Sequence, residues 1–312
     1  MTIAVLPALA RPLLEPHLPK GVEARWFASK ADAFDFAPDA EIGWLDMYDK
    51  AEMAEAISRA TNLKWLTSVY AGVDGMPLDL LRERGTVVTN GAGINALTIA
   101  EYVVMGMLTV AKGYDDVVRA RDRHEWLQDS PGKIELAGSK ALLLGAGAIG
   151  TLVRTRLEAF DIDVVTVRRT PGAGEIGPKD WRPRLGEFDW IILAVPATPD
   201  TDGMIGAAEL AAMKSSAMIV NVARGTVIDQ DALIAALTDK RIAAAFLDVT
   251  TPEPLPLEHP LWALPNAHLT MHLSGRAQNK MFVRAAERFI ANLGRWQRGE
   301  SLQHQVDLTL GY

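Results

Sequence analysis

Short apolar runs separated by polar or helix-patterned segments recur along the chain in two series. In the first, residues 3–6, 22–27, 41–45, 63–68 and 86–89 read as strands of a small α/β unit. Residues 95–123 then form one long helical pattern without proline, long enough to carry the chain from one domain to another. After it the rhythm restarts, with strands near 141–145, 163–167, 190–195, 217–221, 243–247 and 267–271 and helices at 148–160, 207–213 and 229–238. Strand and helix alternating in this way predict a parallel, doubly wound sheet. A last helical pattern, 276–298, would return the chain toward the first domain and make that domain discontinuous. The Pro- and Gly-rich stretch 170–183 reads as an irregular loop.

One turn in the second series carries chemistry. Gly145-Ala146-Gly147-Ala148-Ile149-Gly150 follows the apolar run Ala141-Leu142-Leu143-Leu144 and opens a helical pattern. A strand that leaves a glycine turn as a helix aims free N–H groups and the positive end of the helix dipole at one point, which suits a pyrophosphate. The tip of the next strand selects the dinucleotide, because an acidic residue there binds the ribose hydroxyls and repels a 2′-phosphate. Here that tip, 18 residues after Gly150, is Arg168, followed by Arg169 and Thr170. Guanidinium groups pair with phosphate oxygens, so NADP(H) is favoured and NAD(H) stays open. The alternative is a solvated arginine pair at a loop start.

Composition narrows the picture. The 312 residues, 49% of them hydrophobic, suffice for two ordinary domains with proper cores. With 32 basic and 39 acidic residues the net charge is −7, which offers no basic surface to nucleic acid and leaves an anionic cofactor to local groups. The absence of cysteine excludes disulfides and thiolate metal sites and fits a reducing cytoplasm. Residues 1–7 lack the basic and long apolar regions of a signal peptide, and the apolar stretch 102–111 is short of the roughly 20 residues needed to cross a bilayer. The expectation is a cytoplasmic protein without membrane insertion.

Three successive strand ends of the second series carry titratable groups. Asn221-Val222-Ala223-Arg224-Gly225 ends a strand in Arg224, the segment from Leu247 to Pro254 holds Asp248 and Glu253, and Leu269-Thr270-Met271-His272 ends in His272. In a doubly wound sheet these ends face the ligand crevice. A His oriented by a carboxylate can donate a proton, and a nearby Arg can bind a carboxylate or polarise a carbonyl. The alternatives are a surface Arg, a loop acid and a core His. His268 and His272 could suggest a metal, but they lie at a strand end without a carboxylate or thiolate to complete a set, so no metal is expected.

The glycine turn, the Asn-Val-Ala-Arg-Gly segment, the Leu-Asp-Val to Glu-Pro segment and the strand with His272 together resemble the D-isomer-specific 2-hydroxyacid dehydrogenases over essentially the whole chain. The intervals of 29 residues from Arg224 to Glu253 and 19 from Glu253 to His272 are similar to the family's spacing. Arg168-Arg169, the Trp44 loop and the terminal Gly311-Tyr312 look most like its glyoxylate and hydroxypyruvate reductase branch. The resemblance implies an α/β fold of two Rossmann-like domains, each a doubly wound parallel sheet, with an active-site cleft between them. Residues 1–94 plus 279–312 would form a discontinuous, flavodoxin-like substrate domain, and 95–278 the NAD(P)-binding domain. It also implies hydride transfer from NADPH to a small 2-oxo acid, with His272 as proton donor, Glu253 orienting it and Arg224 holding substrate. The turn Val69-Tyr70-Ala71-Gly72 would receive the substrate carboxylate on its N–H groups, and Asp248 would accept a hydrogen bond from the nicotinamide carboxamide. Thr98, Val195, Pro196, Val222 and Ala223 match positions that line the cofactor. A homodimer joined through the cofactor domains is implied in the same way.

Two positions depart from the family pattern. Met271 stands where the family usually has Pro before its His, and Thr250 where Phe is common. Trp44 and Tyr70 could cap a small substrate pocket or serve equally as core. The competing functions are a dehydrogenase for a larger 2-oxo acid and a dinucleotide-sensing, corepressor-like interaction protein.

Overall fold

Strands β1 (Thr2–Pro7), β2 (Val22–Phe27), β3 (Ile42–Gly43), β4 (Trp65–Thr67) and β5 (Val87–Thr89) pair in parallel in the order β2-β1-β3-β4-β5, the flavodoxin-like arrangement. The computed structural model describes residues 1–73 and 75–310. It divides into two compact units, Met1–Asn95 with the chain from Gln278 on, and Ala96–Ala277. The Gly311-Tyr312 pair lies outside the described residues.

The first unit is closed by the helix Met281–Gln297, whose Ala285, Ala286, Phe289 and Leu293 are buried. Its strong one-sided patterning lets it lie on the sheet with Phe289 stacked on Trp65, ring centroids 5.1 Å apart. The helix begins at Met281 rather than near 276, because the chain from Leu273 to Ala277 is spent in turns bonded back to Thr270 and Leu273.

The second unit holds β6 (Lys140–Leu144), β7 (Asp163–Val167), β8 (Glu175–Ile176), β9 (Trp190–Leu193), β10 (Met218–Asn221), β11 (Ala244–Leu247) and β12 (Ala267–Leu269). All pairs are parallel, in the order β12-β11-β10-β9-β6-β7-β8. The central strands read as continuous apolar runs because both faces are covered. Strand order reverses between β6 and β9, and ligands bind at the carboxyl ends of strands beside such a switch point.

Two expectations are corrected here. The single helix over 95–123 is two, Ala96–Lys112 and Tyr114–Asp122, bent by 70° at Gly113. Gly113 takes φ 61°, a left-handed conformation that ends the first helix at little cost only in glycine. Within the first of these helices Gly106 lies against the Phe246 ring, where a Cβ would come within 2.6 Å. The second correction concerns 170–183, which is not wholly irregular, since Glu175–Ile176 forms β8 by pairing with Thr166 and Val167. A two-residue edge strand is too short to leave a periodic signal.

Candidate active site

The glycine turn leaves β6 and enters the helix Ala148–Glu158. Gly145 has φ 112°, and a Cβ on it would strike the carbonyl of Ala194, at the end of β9. A Cβ on Gly150 would collide with the carbonyl of Gly145, so strand and helix approach only because both are glycine. Gly147 is different, since nothing lies within 4 Å of the Cβ position, and it is exposed. No side chain caps this helix, which leaves first-turn N–H groups at Ala148 and Ile149 facing that open space. An uncapped N-terminus beside an unobstructed glycine fits a dinucleotide pyrophosphate. Val195 and Pro196 follow β9, and Val222 and Ala223 follow β10, so all four lie at the same strand edge.

At the tip of β7, Arg168, Arg169 and Thr170 are exposed. The sequence offered no carboxylate at this tip, but β8 brings one. Glu175 Oε2 accepts the Gly172 N–H at 2.8 Å and lies 3.7 Å from Arg168 Nη1.

Arg224 follows β10 and is held by a turn that Asn221 brackets. The Asn221 amide accepts from the Ala223 N–H at 3.0 Å and donates to the Arg224 carbonyl at 2.9 Å. The loop after β11 is fixed by Gln230, whose side chain accepts from the Thr251 N–H and donates to the Thr251 carbonyl. Glu253 Oε1 accepts the Thr250 N–H at 3.1 Å, and Oε2 meets His272 Nδ1 at 2.7 Å. Nδ1 is thereby committed to the carboxylate, and Nε2 has no partner among the described residues.

Burial alone would raise the Glu253 carboxyl, but the hydrogen bond and charge of His272, the Thr250 N–H and the Arg224 charge outweigh it and hold the group below its usual range. An acid lowered in the folded state stabilises the fold above its unfolded pKa of about 4.3, and that contribution vanishes as pH falls through the lower folded value. Both partners are more than a third exposed, so the effect is below about 1 kcal/mol. Wild type is therefore expected to melt slightly above Glu253→Gln at pH 5, with the gap closing as the pH is lowered toward 3. A gap that widened on acidification would contradict the lowered carboxyl.

His272 sits in a strained turn. Met271 and His272 have φ of 52° and 58°, left-handed values rare for residues with a Cβ. Proline, held near −65°, could not occupy position 271 in this conformation, whereas Met can. Asp248 holds the turn. Its Oδ1 accepts from Thr270 Oγ1, Leu273 N–H and Ser274 N–H at 2.8, 3.0 and 3.1 Å, and Oδ2 accepts from Ser274 Oγ. Its backbone carbonyl takes the His272 N–H at 2.6 Å.

Several sequence assignments shift as a result. Asp248 is 2% exposed and occupied by the His272 turn, so a bond to a nicotinamide carboxamide does not follow from its placement. Thr98 is buried and gives its hydroxyl to the Ala277 carbonyl rather than presenting it at the surface. Trp44, 1% exposed, packs against Phe282 and Phe289, which leaves its ring no face to offer a substrate. Tyr70 is exposed, with Ala71 and Gly72 beside it. Two of the four N–H groups in its turn are already used, Val69 by Asp46 and Tyr70 by Ser68. His268 Nδ1 meets Asp115 Oδ2 at 2.5 Å. Asn221 and Gln230 escaped the sequence reading, although Asn at the end of a strand before a turn is a readable signal.

Residues 104–274 match the family model for the D-isomer specific 2-hydroxyacid dehydrogenase, NAD binding domain. The chain is 31% identical to human glyoxylate reductase/hydroxypyruvate reductase, over 79% of this chain and 78% of that protein. It is 34% identical to the D-3-phosphoglycerate dehydrogenase of Archaeoglobus fulgidus, over 71% of this chain and 43% of that protein. Among solved structures, the NADPH-dependent glyoxylate/hydroxypyruvate reductase of Sinorhizobium meliloti, in complex with NADP and malonate, superposes with a TM-score of 0.79 at 25% identity, covering 99% of this chain and 98% of that one. With two Rossmann-like parallel sheets, a glycine turn at the switch point and Arg, Glu and His at successive strand ends, the chain belongs to the D-isomer-specific 2-hydroxyacid dehydrogenases.

Proposed function

We propose that this enzyme reduces a small 2-oxo acid of the glyoxylate or hydroxypyruvate type to the D-2-hydroxy acid with NADPH. The observation that carries the reading is the His272–Glu253 pair, in which Nδ1 is taken at 2.7 Å and Nε2 is left for the substrate oxygen. His272 donates the proton that the reduced carbonyl oxygen needs, and Glu253 keeps the ring in one tautomer and orientation. Arg224 binds the substrate as an anion. The N–H groups of Ala71 and Gly72 take the role that the family resemblance gives their turn, receiving the substrate carboxylate. When bound, the dihydronicotinamide supplies the hydride to the carbonyl carbon. The same reading makes the enzyme a cytoplasmic homodimer, and exposed Tyr114, Trp126 and Leu127 in the cofactor unit supply apolar surface for such a contact.

Purified protein is tested with NADPH and NADH against glyoxylate, hydroxypyruvate and 2-oxo acids of increasing size. No consumption of either cofactor would overturn the enzyme reading in favour of a dinucleotide-sensing protein. A preference for larger acids would move the substrate toward that of the phosphoglycerate dehydrogenase relative.

The cofactor preference rests on Arg168, Arg169 and Thr170, which stand at the tip of β7 in place of an acid, while the carboxylate that β8 brings there, Glu175, is engaged by the Gly172 N–H and Arg168. Arg168→Asp is expected to shift the NADPH/NADH ratio of kcat/KM toward NADH. Glu175→Gln is expected to move it the other way by about two- to fivefold, because the largely buried Glu175 carboxylate competes with a 2′-phosphate for the exposed Arg168 guanidinium. A ratio unchanged in both variants would remove this tip from cofactor selection.

A further inference from the structure

The turn 69–72 is braced on both sides by groups that the reaction itself does not require. Asp46 Oδ1 accepts the Ser68 hydroxyl at 2.6 Å, while Oδ2 accepts the Val69 N–H at 2.6 Å and the Trp44 Nε1–H at 2.8 Å. The same Ser68 oxygen accepts the Tyr70 N–H at 3.1 Å, which extends the carboxylate's hold one residue further. From the other side, Asn90 Nδ2 donates to the Ala71 carbonyl at 2.7 Å and the Gly91 N–H to the Tyr70 carbonyl at 2.7 Å. A Cβ on Gly91 would collide with the Val69 carbonyl, so that approach needs glycine. Among the described residues, the Ala71 and Gly72 N–H groups are left without an acceptor. A pair of unspent N–H groups in a fixed turn is an anion receptor, and its value depends on the turn not relaxing to spend them elsewhere.

We propose that Asp46 is the positioning residue of this receptor. Its carboxylate gathers Ser68, Val69 and, through Ser68, Tyr70, so that the two N–H groups that follow remain presented to the substrate carboxylate. Trp44 acquires a role in this arrangement, as a buried donor that anchors Asp46. The carboxylate is half-buried, and burial pushes its carboxyl up against the pull of its three donors, the expected strain of a charge spent on holding backbone. The inference rests on the substrate reading given above.

Steady-state kinetics with NADPH and glyoxylate on wild type, Asp46→Ala, Asp46→Asn and Ser68→Ala tests it. Asp46→Ala is expected to raise KM for the 2-oxo acid about tenfold while kcat and the dissociation constant for NADPH change less than about twofold, as loss of uniform substrate binding requires. Asp46→Asn should recover much of the loss, because its amide oxygen can still accept from Val69 and Trp44, and Ser68→Ala should show a smaller rise in KM. If Asp46→Ala does not fold, the rise in Ser68→Ala decides the matter. Wild-type KM in the folded variants, or a fall in kcat and NADPH affinity in place of a rise in KM, overturns the role of Asp46 while leaving the activity intact. Absence of turnover in wild type overturns both.

Discussion

Replacing His272 by Asn is expected to lower kcat about a thousandfold, within the range that a positioned general acid supplies. Asn is the informative substitution because position 272 has φ 58°, a conformation Asn adopts more readily than most residues. Its side-chain amide can also donate to Glu253, so the loop stays in place while the transferable proton is lost. NADPH affinity should stay within about twofold of wild type, since uniform loss of binding is not what a proton donor contributes. The measurement is single-turnover reduction alongside cofactor titration by fluorescence. Retained turnover would exclude His272 as the proton donor, and parallel loss of cofactor binding would make it a structural residue.

Gly225→Ala is expected to lower both stability and activity although residue 225 carries no reactive group. The residue follows Arg224, and a Cβ there would sit inside the carbonyl of Thr250 and against the Thr251 hydroxyl. Neither side can retreat easily. Asn221 and Leu247 are paired in the sheet, the Asp248 N–H is bonded to the Asn221 carbonyl, and Thr251 is clamped by Gln230. Overpacking of this kind costs about 1–3 kcal/mol. In a unit of this size that lowers the melting temperature by several degrees, roughly 2–4 °C per kcal/mol. The displaced loop also carries Glu253, so kcat/KM should fall by about ten- to a hundredfold, as small misplacements of catalytic groups do. A variant with wild-type melting and kinetics would show that the strand ends are looser than their packing indicates.

Much of this site was legible before the fold was known. Gly145, Gly147 and Gly150 stand at a strand-to-helix turn whose chemistry is local, and each has a separable reason to be glycine. Arg224, Glu253 and His272 could be placed at one sheet edge because a parallel sheet brings the carboxyl ends of its strands together. That Glu253 orients His272 was implied only by the family resemblance, because no local pattern places the two side chains in contact. The contact of His272 with Glu253 depends on loops held by Asn221, Gln230 and Asp248. Trp44 was ambiguous for a related reason, since an aromatic residue after a strand is equally at home in a pocket or a core until the helix that covers it is located.

The sequence by itself determined the two βα series, the strand-to-helix glycine turn and the order of chemical groups along the sheet edge, because hydrophobic period and turn chemistry act over a few residues. Only the tertiary structure decided that Gly113 breaks the long helical pattern, that β8 sets Glu175 beside Arg168, that Asp248 secures the His272 turn, and that Asp46 braces the turn at Tyr70. Each of these joins residues whose own neighbourhoods look ordinary. Their geometry is set by strand pairing and packing between distant segments, and no local period records which segments will meet.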